Sequence, residues 1–199
     1  MLQEQFNTPT LDIGSLPFYT HSSHSLQSSA GSAGMSLIAI DGRAGAGKTT
    51  LAARFFDELS VDKTVEVIHM DDLYDGWDNA LNERLTQCLE SIVKSHQNKV
   101  AFEIDIFNWQ SMSFDSKRQI NPVDILILEG VGAGQKVVRD AGATLYWLDI
   151  DAEVGIQRVL NRDGNQIASQ MKQWQIAQEI HFLRDKTREN AEHIQSSPA

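Results

Sequence analysis

The sequence predicts an α/β fold of three layers, with helices on both faces of a mostly parallel sheet. Short apolar runs such as 36–40 and 124–130 alternate with longer segments whose apolar residues repeat at helical spacing. The run at 124–130 is apolar along most of its length, which is typical of a strand buried on both faces. Strands that alternate with helices form parallel sheets covered on both faces.

The individual elements follow from the same periodicity. In the clearest helix, 78–97, Leu85 and Leu89 belong to one apolar face, and Asp78 or Asn79 can cap the first turn. Residues 100–107 have an extended pattern. The predicted strands are 36–40, 64–70, 124–130 and 144–150, and the predicted helices are 48–59, 78–97, 152–162 and 169–190. We expect the strand order 2-3-1-4, with a short fifth strand possible at 192–195.

Length and charge narrow the class of protein. The chain has 199 residues, enough for one domain with a sizeable core. With 17 basic and 27 acidic residues it carries a formal charge of −10, which disfavours nucleic acid and anionic membranes as partners. Neither an apolar run of about 18 residues nor a secretory signal is present, and Cys88 is the single cysteine. These features favour a cytoplasmic protein, and the oligomeric state stays open.

The first 34 residues differ from the rest of the chain. They contain no Lys or Arg and end in the Ser/Gly-rich stretch 28–34, which is typical of a flexible joint. We expect 1–34 to be a partly ordered extension and 35–199 to be the functional domain. His21 and His24 are better explained as solvated surface residues than as metal ligands.

A glycine-rich motif follows the first predicted strand and opens the first helix. Residues 42–49 match G-x-x-x-x-G-K-[ST], the pattern of a loop that cradles phosphates. Glycines allow consecutive N–H groups to point at phosphate oxygens, and the helix N-terminus adds positive potential. Lys48 is expected to reach the β- and γ-phosphates, and the Thr49 hydroxyl is expected to bind Mg²⁺. The predicted nucleotide-binding residues are Gly42, Arg43, Ala44, Gly45, Ala46, Gly47, Lys48, Thr49 and Thr50.

The motif predicts a P-loop nucleotide-binding fold, and other features favour ATP with Mg²⁺. The nearest match to a guanine-reading Asn-Lys-x-Asp motif is residues 98–101, which lack its carboxylate. A motor ATPase normally needs a longer chain. A chain of this size therefore points to a phosphotransferase.

Acidic and aromatic side chains follow the second predicted strand. Functional groups collect at the carboxyl ends of parallel strands, and Asp71 lies at such an end. Its carboxylate can take the proton of an attacking hydroxyl and lie near Mg²⁺, whereas Asp72 is better explained as a capping residue. Tyr74 and Trp77 offer flat surfaces to a ring-bearing substrate, with loop packing as the alternative.

Four segments resemble the uridine kinase-like group of P-loop kinases, which includes nucleoside kinases, phosphoribulokinase and pantothenate kinase. They are IAIDGRAGAGKTTLA, HMDDLY, the ILEG strand and a late Arg-x-x-x-Arg-Asp, and the resemblance covers about residues 36–190. It implies that Asp71 is the catalytic base and that Tyr74 lies on the substrate side. It also implies that Glu129 supports the metal, so that Thr49, Asp71 and Glu129 form the metal site.

One segment departs from the family pattern. Nucleoside kinases of this group carry Tyr-Asp-Phe at a sugar-binding position, where this chain has Phe107, Asn108 and Trp109. These three residues, with Asp71, Tyr74 and Trp77, are the predicted substrate-binding set. An amide bonds a sugar diol without the charge assistance of a carboxylate, which puts uridine or cytidine in question.

The helix predicted at 152–162 carries Arg158 and Arg162, four residues apart on one face. Two guanidinium groups there can clamp a transferring phosphoryl group, and the resemblance implies this role. The alternative is that they pair with Asp151, Glu153 or Asp163. Trp174, on the following helix, is better explained by core packing than by substrate contact.

The sequence therefore predicts ATP-dependent phosphotransfer to a hydroxyl of a small molecule, with Lys48, Asp71, Arg158 and Arg162 as catalytic residues. The alternatives are a nucleotide-binding regulatory protein or ATPase, and a nucleoside-monophosphate kinase. The segment 71–79 holds four acids and no basic residue, which favours a neutral or cationic acceptor. Lys117 and Arg118, expected in the loop after Trp109, are the two basic residues that could hold a phosphate there.

Overall fold

A parallel sheet of five strands forms the centre of the protein. The computed structural model describes residues 36–197, so the predicted extension at 1–34, with His21 and His24, lies outside it. The sheet strands are β1 (Ser36–Gly42), β2 (Val65–His69), β5 (Ile125–Glu129), β6 (Thr144–Asp149) and β7 (His193–Ser196). Their order is β2-β5-β1-β6-β7, and every neighbouring pair is parallel.

The α/β class predicted from the sequence is confirmed. The order in chain numbering differs from the expected 2-3-1-4 because two strands of a separate hairpin precede β5 and because β7 adds an edge strand. That edge strand pairs with β6 from Tyr146↔His193 to Asp149↔Ser196.

The separate hairpin consists of β3 (Phe102–Asn108) and β4 (Ser113–Ile120), which pair antiparallel. The sequence analysis recognised only an extended stretch at 100–107. It missed β4 because most side chains of that strand are exposed and polar, so the strand has little hydrophobic alternation. Lys117 and Arg118 lie on β4 rather than in a loop, which corrects the expectation for both.

Within residues 36–197, five α-helices flank the strands: α1 (Lys48–Leu59), α2 (Glu83–Gln97), α3 (Lys136–Asp140), α4 (Ala152–Asp163) and α5 (Ala168–Asp185). Helix α2 begins five residues later than predicted, because the side chain of Asn82, rather than Asp78 or Asn79, accepts from the Leu85 N–H at 3.1 Å. Helix α5 ends at Asp185 because Lys186 adopts a left-handed conformation with φ 54°. The Asp151 side chain caps α4, accepting from the N–H groups of Glu153 and Val154.

Apolar residues bury both faces of the sheet. On β1, Leu37 and Ala39 belong to one apolar cluster, whereas Ile40 belongs to a second cluster with Leu51 of α1. The alternation follows from the two-residue period of a strand. Cys88 packs against the first cluster, and its burial raises the pKa of the thiol. None of the helices in 36–197 has the length and apolar character of a membrane span.

Candidate active site

The glycine-rich loop connects β1 to α1 and packs tightly against α4. Gly47 precedes α1 with φ 89°, and Gly45 has φ 80°. A Cβ at Gly45 would lie 2.2 Å from the carbonyl oxygen of Gly155. A Cβ at Gly155 would in turn lie 2.4 Å from the carbonyl oxygen of Ala44. The loop can therefore approach α4 only because both positions are glycine.

Lys48 is the first residue of α1, and its side chain is buried beside this loop. Its ammonium donates to the carbonyl oxygens of Gly42 and Arg43, at 2.9 Å each. Burial lowers its pKa, and the carboxylates of Asp41, Glu129 and Asp71 oppose that shift. The loop thus encloses one cation within reach of the acids that border the cleft.

Three residues of the predicted nucleotide-binding set do not line the cleft: Gly42, Arg43 and Ala46. The Arg43 guanidinium faces away from the cleft and donates to both carboxylate oxygens of Glu179, at 2.5 and 3.0 Å. It also donates to the Ile150 carbonyl oxygen at 3.0 Å. Arg43 therefore fastens the loop to α5 and to the end of β6.

A carboxylate, a hydroxyl and an imidazole meet beside the loop. Thr49 Oγ1 donates to Glu129 Oε1 at 3.1 Å, and His69 Nδ1 lies 2.5 Å from the same oxygen. The Glu129 carboxylate raises the pKa of His69 through this hydrogen bond. Sequence analysis missed His69, which precedes the Asp71 segment by two residues.

Hydroxyl and carboxylate oxygens are the ligands that Mg²⁺ prefers, so the donor set of Thr49 and Glu129 fits this ion. Within residues 36–197 no group of three His, Cys, Asp or Glu side chains could hold a metal alone. Mg²⁺ usually takes one or two protein ligands together with substrate phosphates and water.

Asp71 borders the cleft just beyond β2, in a short 3-10 helix, Met70–Asp72. Desolvation raises the pKa of its carboxyl, as does Glu129 nearby, while Lys48 and Arg162 oppose the shift. A carboxylate with a raised pKa is better suited to accept a proton.

The other acids of the 71–79 segment, Asp72, Asp75 and Asp78, do not line the cleft. The four acids of this segment are therefore not gathered in the lining, which takes only Asp71 from among them. The charged lining is balanced between three basic and three acidic side chains: Lys48, Arg158, Arg162, Asp71, Glu129 and Asp163.

Four aromatic residues, Tyr74, Trp77, Trp109 and Trp174, line the cleft beside Asp71, and we call them the aromatic wall. The ring of Trp77 lies 5.1 Å from that of Trp109 and 6.0 Å from that of Trp174, between centroids and nearly edge-on. Tyr74 and Trp174 are 5.2 Å apart. Sequence analysis assigned Trp174 to core packing; it belongs to the core cluster and also faces the cleft.

Phe107 and Asn108 are not among the residues that line the cleft, unlike the neighbouring Trp109. The Asn108 side chain stabilises the hairpin turn, where its oxygen accepts from the N–H groups of Gln110 and Ser111 at 2.8 and 3.2 Å. Its amide donates to Asp115 at 2.7 Å. Phe107 packs against Trp109 and Phe114. The family pattern placed Asn108 at a sugar-binding position. In this structure the Asn108 side chain instead bonds within the hairpin turn.

Arg158 and Arg162 of α4 both line the cleft. Arg162 donates through Nε and Nη2 to the Asp163 carboxylate, at 2.7 Å each, which is the ion pair that the alternative interpretation named. Arg158 donates to Ser197 Oγ at 2.7 Å. Lys117 and Arg118 lie elsewhere: Lys117 pairs with Glu103 at 2.7 Å, and neither lines the cleft.

Asp41, at the end of β1, is fully buried and was missed as a site residue. Its carboxylate accepts from the N–H groups of Gly42, Gly132 and Gly134 at 2.7, 3.1 and 2.8 Å. Desolvation raises its pKa. Asp41 thereby joins the start of the phosphate loop to the loop after β5. Its position directly before the glycine motif was the feature of the sequence that could have indicated this role.

These parts enclose a cleft of about 540 Å³. Its polar side chains come from the phosphate loop, the strand ends and α4: Lys48, Thr49, Thr50, Asp71, Glu129, Arg158, Arg162 and Asp163. Its apolar side chains are the aromatic wall with Val131, Val159, Ile167 and Met171. The cleft therefore has a charged side and an aromatic side, which meet at Asp71.

Comparison with known proteins agrees with this arrangement. No family model matches the chain. The uridine kinase of Lactobacillus johnsonii is 26% identical over 141 residues, which are 64% of this chain and 67% of that protein. The uridine kinase of Mycoplasma genitalium is 26% identical over 178 residues, covering 79% of this chain and 83% of that protein. The chain thus spans about two thirds of the first relative's length.

A solved structure of a possible uridine kinase from Bacillus stearothermophilus superposes with a TM-score of 0.61 at 20% identity. It covers 83% of this chain and 91% of that one. In fold and in sequence this chain is therefore similar to one class of proteins, the P-loop kinases. Within that class its similarity is to the uridine kinase-like group, as the motifs predicted.

Proposed function

We propose that the protein transfers the γ-phosphoryl group of ATP to a hydroxyl of a small molecule. The observation that carries the proposal is the convergence of four groups on one cleft: Lys48, the Thr49–Glu129 pair, Asp71 and the arginines of α4. In the alternative of a regulatory nucleotide-binding protein, the cleft would have no need of a carboxylate set beside the aromatic wall.

Each group in the cleft has a separate role in the proposed transfer. The backbone of 42–50 and Lys48 hold the phosphates of ATP, and Thr49 with Glu129 would hold Mg²⁺, which neutralises charge on the phosphate oxygens. Asp71 accepts the proton as the hydroxyl oxygen bonds to the γ-phosphorus and the bond from phosphorus to its bridging oxygen breaks. Arg158 and Arg162 stabilise the charge on the transferred group, which requires Arg162 to exchange part of its pairing with Asp163.

The proposed acceptor is neutral or cationic rather than a nucleoside monophosphate. Among the described residues, the basic side chains of the cleft are Lys48 and the two arginines of α4, which the transferred phosphoryl group needs. Lys117 and Arg118, the predicted alternative grip for a second phosphate, lie outside the lining. A cytoplasmic location, where ATP is abundant, accords with this proposal.

The experiment is a coupled assay of ADP release by the purified chain with ATP and Mg²⁺, with and without a panel of nucleosides, vitamins and sugars. We expect ADP release that depends on the acceptor, together with a phosphorylated product detected by mass spectrometry. ADP release that stays the same with every acceptor would favour an ATPase instead. Preferential phosphorylation of UMP, CMP or AMP would favour the monophosphate kinase alternative.

A further inference from the structure

The acceptor must lie against the aromatic wall, because the wall begins at the proposed base. The indole Nε1 of Trp109 donates to the main-chain carbonyl of Asp71 at 3.1 Å. Trp77 packs directly on Trp109. A base works at about 2.6–3.2 Å from the hydroxyl that it deprotonates. An acceptor hydroxyl at the Asp71 carboxylate therefore brings the rest of the molecule beside these rings.

The wall offers flat apolar surface, and two of its four polar groups already have partners. The indole N–H of Trp109 is already bonded to Asp71, and the Tyr74 hydroxyl donates to the Val131 carbonyl oxygen at 2.7 Å. Ile167 and Met171 extend the same apolar side of the cleft. Hydroxyl groups placed against such a surface lose water without gaining partners, whereas an aromatic ring gains stacking contacts.

The described residues also provide no side chain for a sugar diol on this side of the cleft. Asn108, at the position where the family pattern predicts that contact, is engaged in the hairpin turn. Asp72 and Asp75 lie outside the lining, and Asp163 ends α4 beside the arginines that are proposed to hold the transferred phosphoryl group. Asp71 is needed for the reacting hydroxyl.

Resting on the proposed kinase function, we propose that the acceptor is a flat heteroaromatic ring carrying one primary hydroxyl, and that the site makes no use of a vicinal diol. Trp77 is then a specificity-determining residue. In the transfer the hydroxyl oxygen bonds to the γ-phosphorus of ATP, its proton passes to Asp71, and ADP leaves.

The first experiment measures binding to the full chain by quenching of tryptophan fluorescence, which reports on the wall without requiring turnover. The probes are pyridinemethanols and hydroxymethylpyrimidines against ribitol and glycerol, and uridine against 2′,3′-dideoxyuridine. We expect the ring alcohols to bind at least ~10-fold more tightly than the polyols, and removal of the diol to change Kd by less than ~3-fold. Polyols that bind as tightly as ring alcohols, or a loss of ~100-fold without the diol, would overturn the proposal.

The second experiment uses Trp77→Leu, with Asn108→Ala as the matched control in the hairpin turn. Trp77→Leu should weaken binding of the ring alcohols about 10-fold and leave the Kd of ATP unchanged, while Asn108→Ala should change neither. Weaker acceptor binding in Asn108→Ala, or unaltered ring binding in Trp77→Leu, contradicts the assignment. Should the Leu variant prove unfolded by circular dichroism, the comparison of probes on the wild-type chain decides alone.

The two proposals fail in different ways. Ring alcohols that bind but are not phosphorylated support the acceptor class and contradict the kinase function. Phosphorylation of polyols in preference to ring alcohols supports the kinase function and contradicts the acceptor class. Failure of every ring alcohol to bind overturns the acceptor class whatever the assay of ADP release shows.

Discussion

His69 Nδ1 lies 2.5 Å from Oε1 of Glu129, the oxygen that also accepts the Thr49 hydroxyl. The contact follows from the sheet, because His69 and Glu129 are direct partners in the parallel pairing of β2 and β5. Their side chains leave neighbouring strands at the same level. The pair therefore fixes the orientation of the carboxylate that faces Thr49.

The pH dependence of stability should reveal this pair. The hydrogen bond to Glu129 raises the pKa of His69 in the folded protein above its unfolded value of about 6.5. The stabilisation is therefore fully present below about pH 6.5 and is lost as the pH rises through the folded pKa. Without nucleotide, His69→Gln should lower the Tm by roughly 1–3 °C more at pH 6 than at pH 9. The same substitution at exposed His193 is the control, and an equal loss at both pH values would contradict the pairing.

Lys48→Ala tests the phosphate loop. The variant removes the cation enclosed by the loop, so we expect ATP affinity to fall at least ~10-fold and turnover to fall further. The far-UV circular dichroism should be unchanged, because the Lys48 ammonium donates to the carbonyl oxygens of Gly42 and Arg43 at the loop and its removal leaves the sheet and helices in place. Isothermal titration with ATP measures the effect, with exposed Lys63→Ala as the control. Equal ATP affinity in the two variants would show that Lys48 does not bind the phosphates of ATP.

Asp71→Asn tests the base. The amide keeps the size of the side chain but cannot accept the proton, and general-base catalysis typically contributes about 10²–10⁴-fold to the rate. We expect kcat to fall within that range while the Kd of ATP changes little. Asp72→Asn is the matched control, since Asp72 does not line the cleft. A larger loss of kcat in Asp72→Asn would mean that Asp72, and not Asp71, is the base.

Gly45→Ala tests the contact between the phosphate loop and α4. Gly45 and Gly142 have similar backbone conformations, with φ 80° and 85°, so alanine strains both by about 1–2 kcal/mol. Only at Gly45 does the new Cβ meet another atom, the carbonyl oxygen of Gly155, whereas nothing lies within 4 Å at Gly142. We expect Gly45→Ala to lower the Tm more than Gly142→Ala and to weaken ATP binding. A calorimetric scan that gives the same Tm for both would contradict the close packing.

The sequence predicted those parts of the site that local patterns encode. The phosphate loop is a continuous motif. Asp71 directly follows one apolar run and Glu129 lies near the end of another, and both runs are predicted to be strands. Parallel strands end at one edge of the sheet, so the structure brings these residues together. The fold class was predictable for the same reason.

The parts that were missed depend on contacts distant in sequence. His69 pairs with Glu129 across 60 residues, and Arg43 reaches Glu179 across 136. Asn108 was misplaced because its neighbour in sequence, Trp109, faces the cleft while Asn108 closes the hairpin turn. Asn108 is the last residue of β3 and Trp109 is the first of the turn, and the course of that turn depends on the pairing with β4, which local sequence does not encode.

Helix α5 contacts both halves of the cleft. Gln178 accepts the Ala44 N–H at 3.1 Å and Glu179 holds Arg43, while Trp174, one turn earlier, faces the acceptor side. In the proposed kinase, the same helix therefore holds the phosphate loop in place and contributes to the choice of acceptor. A substitution in this helix that reshapes the acceptor pocket therefore also alters the geometry of the phosphate loop. Trp77 packs on Trp109, and Trp109 bonds to the main chain of Asp71, so these two residues allow the pocket to be altered with less effect on the loop.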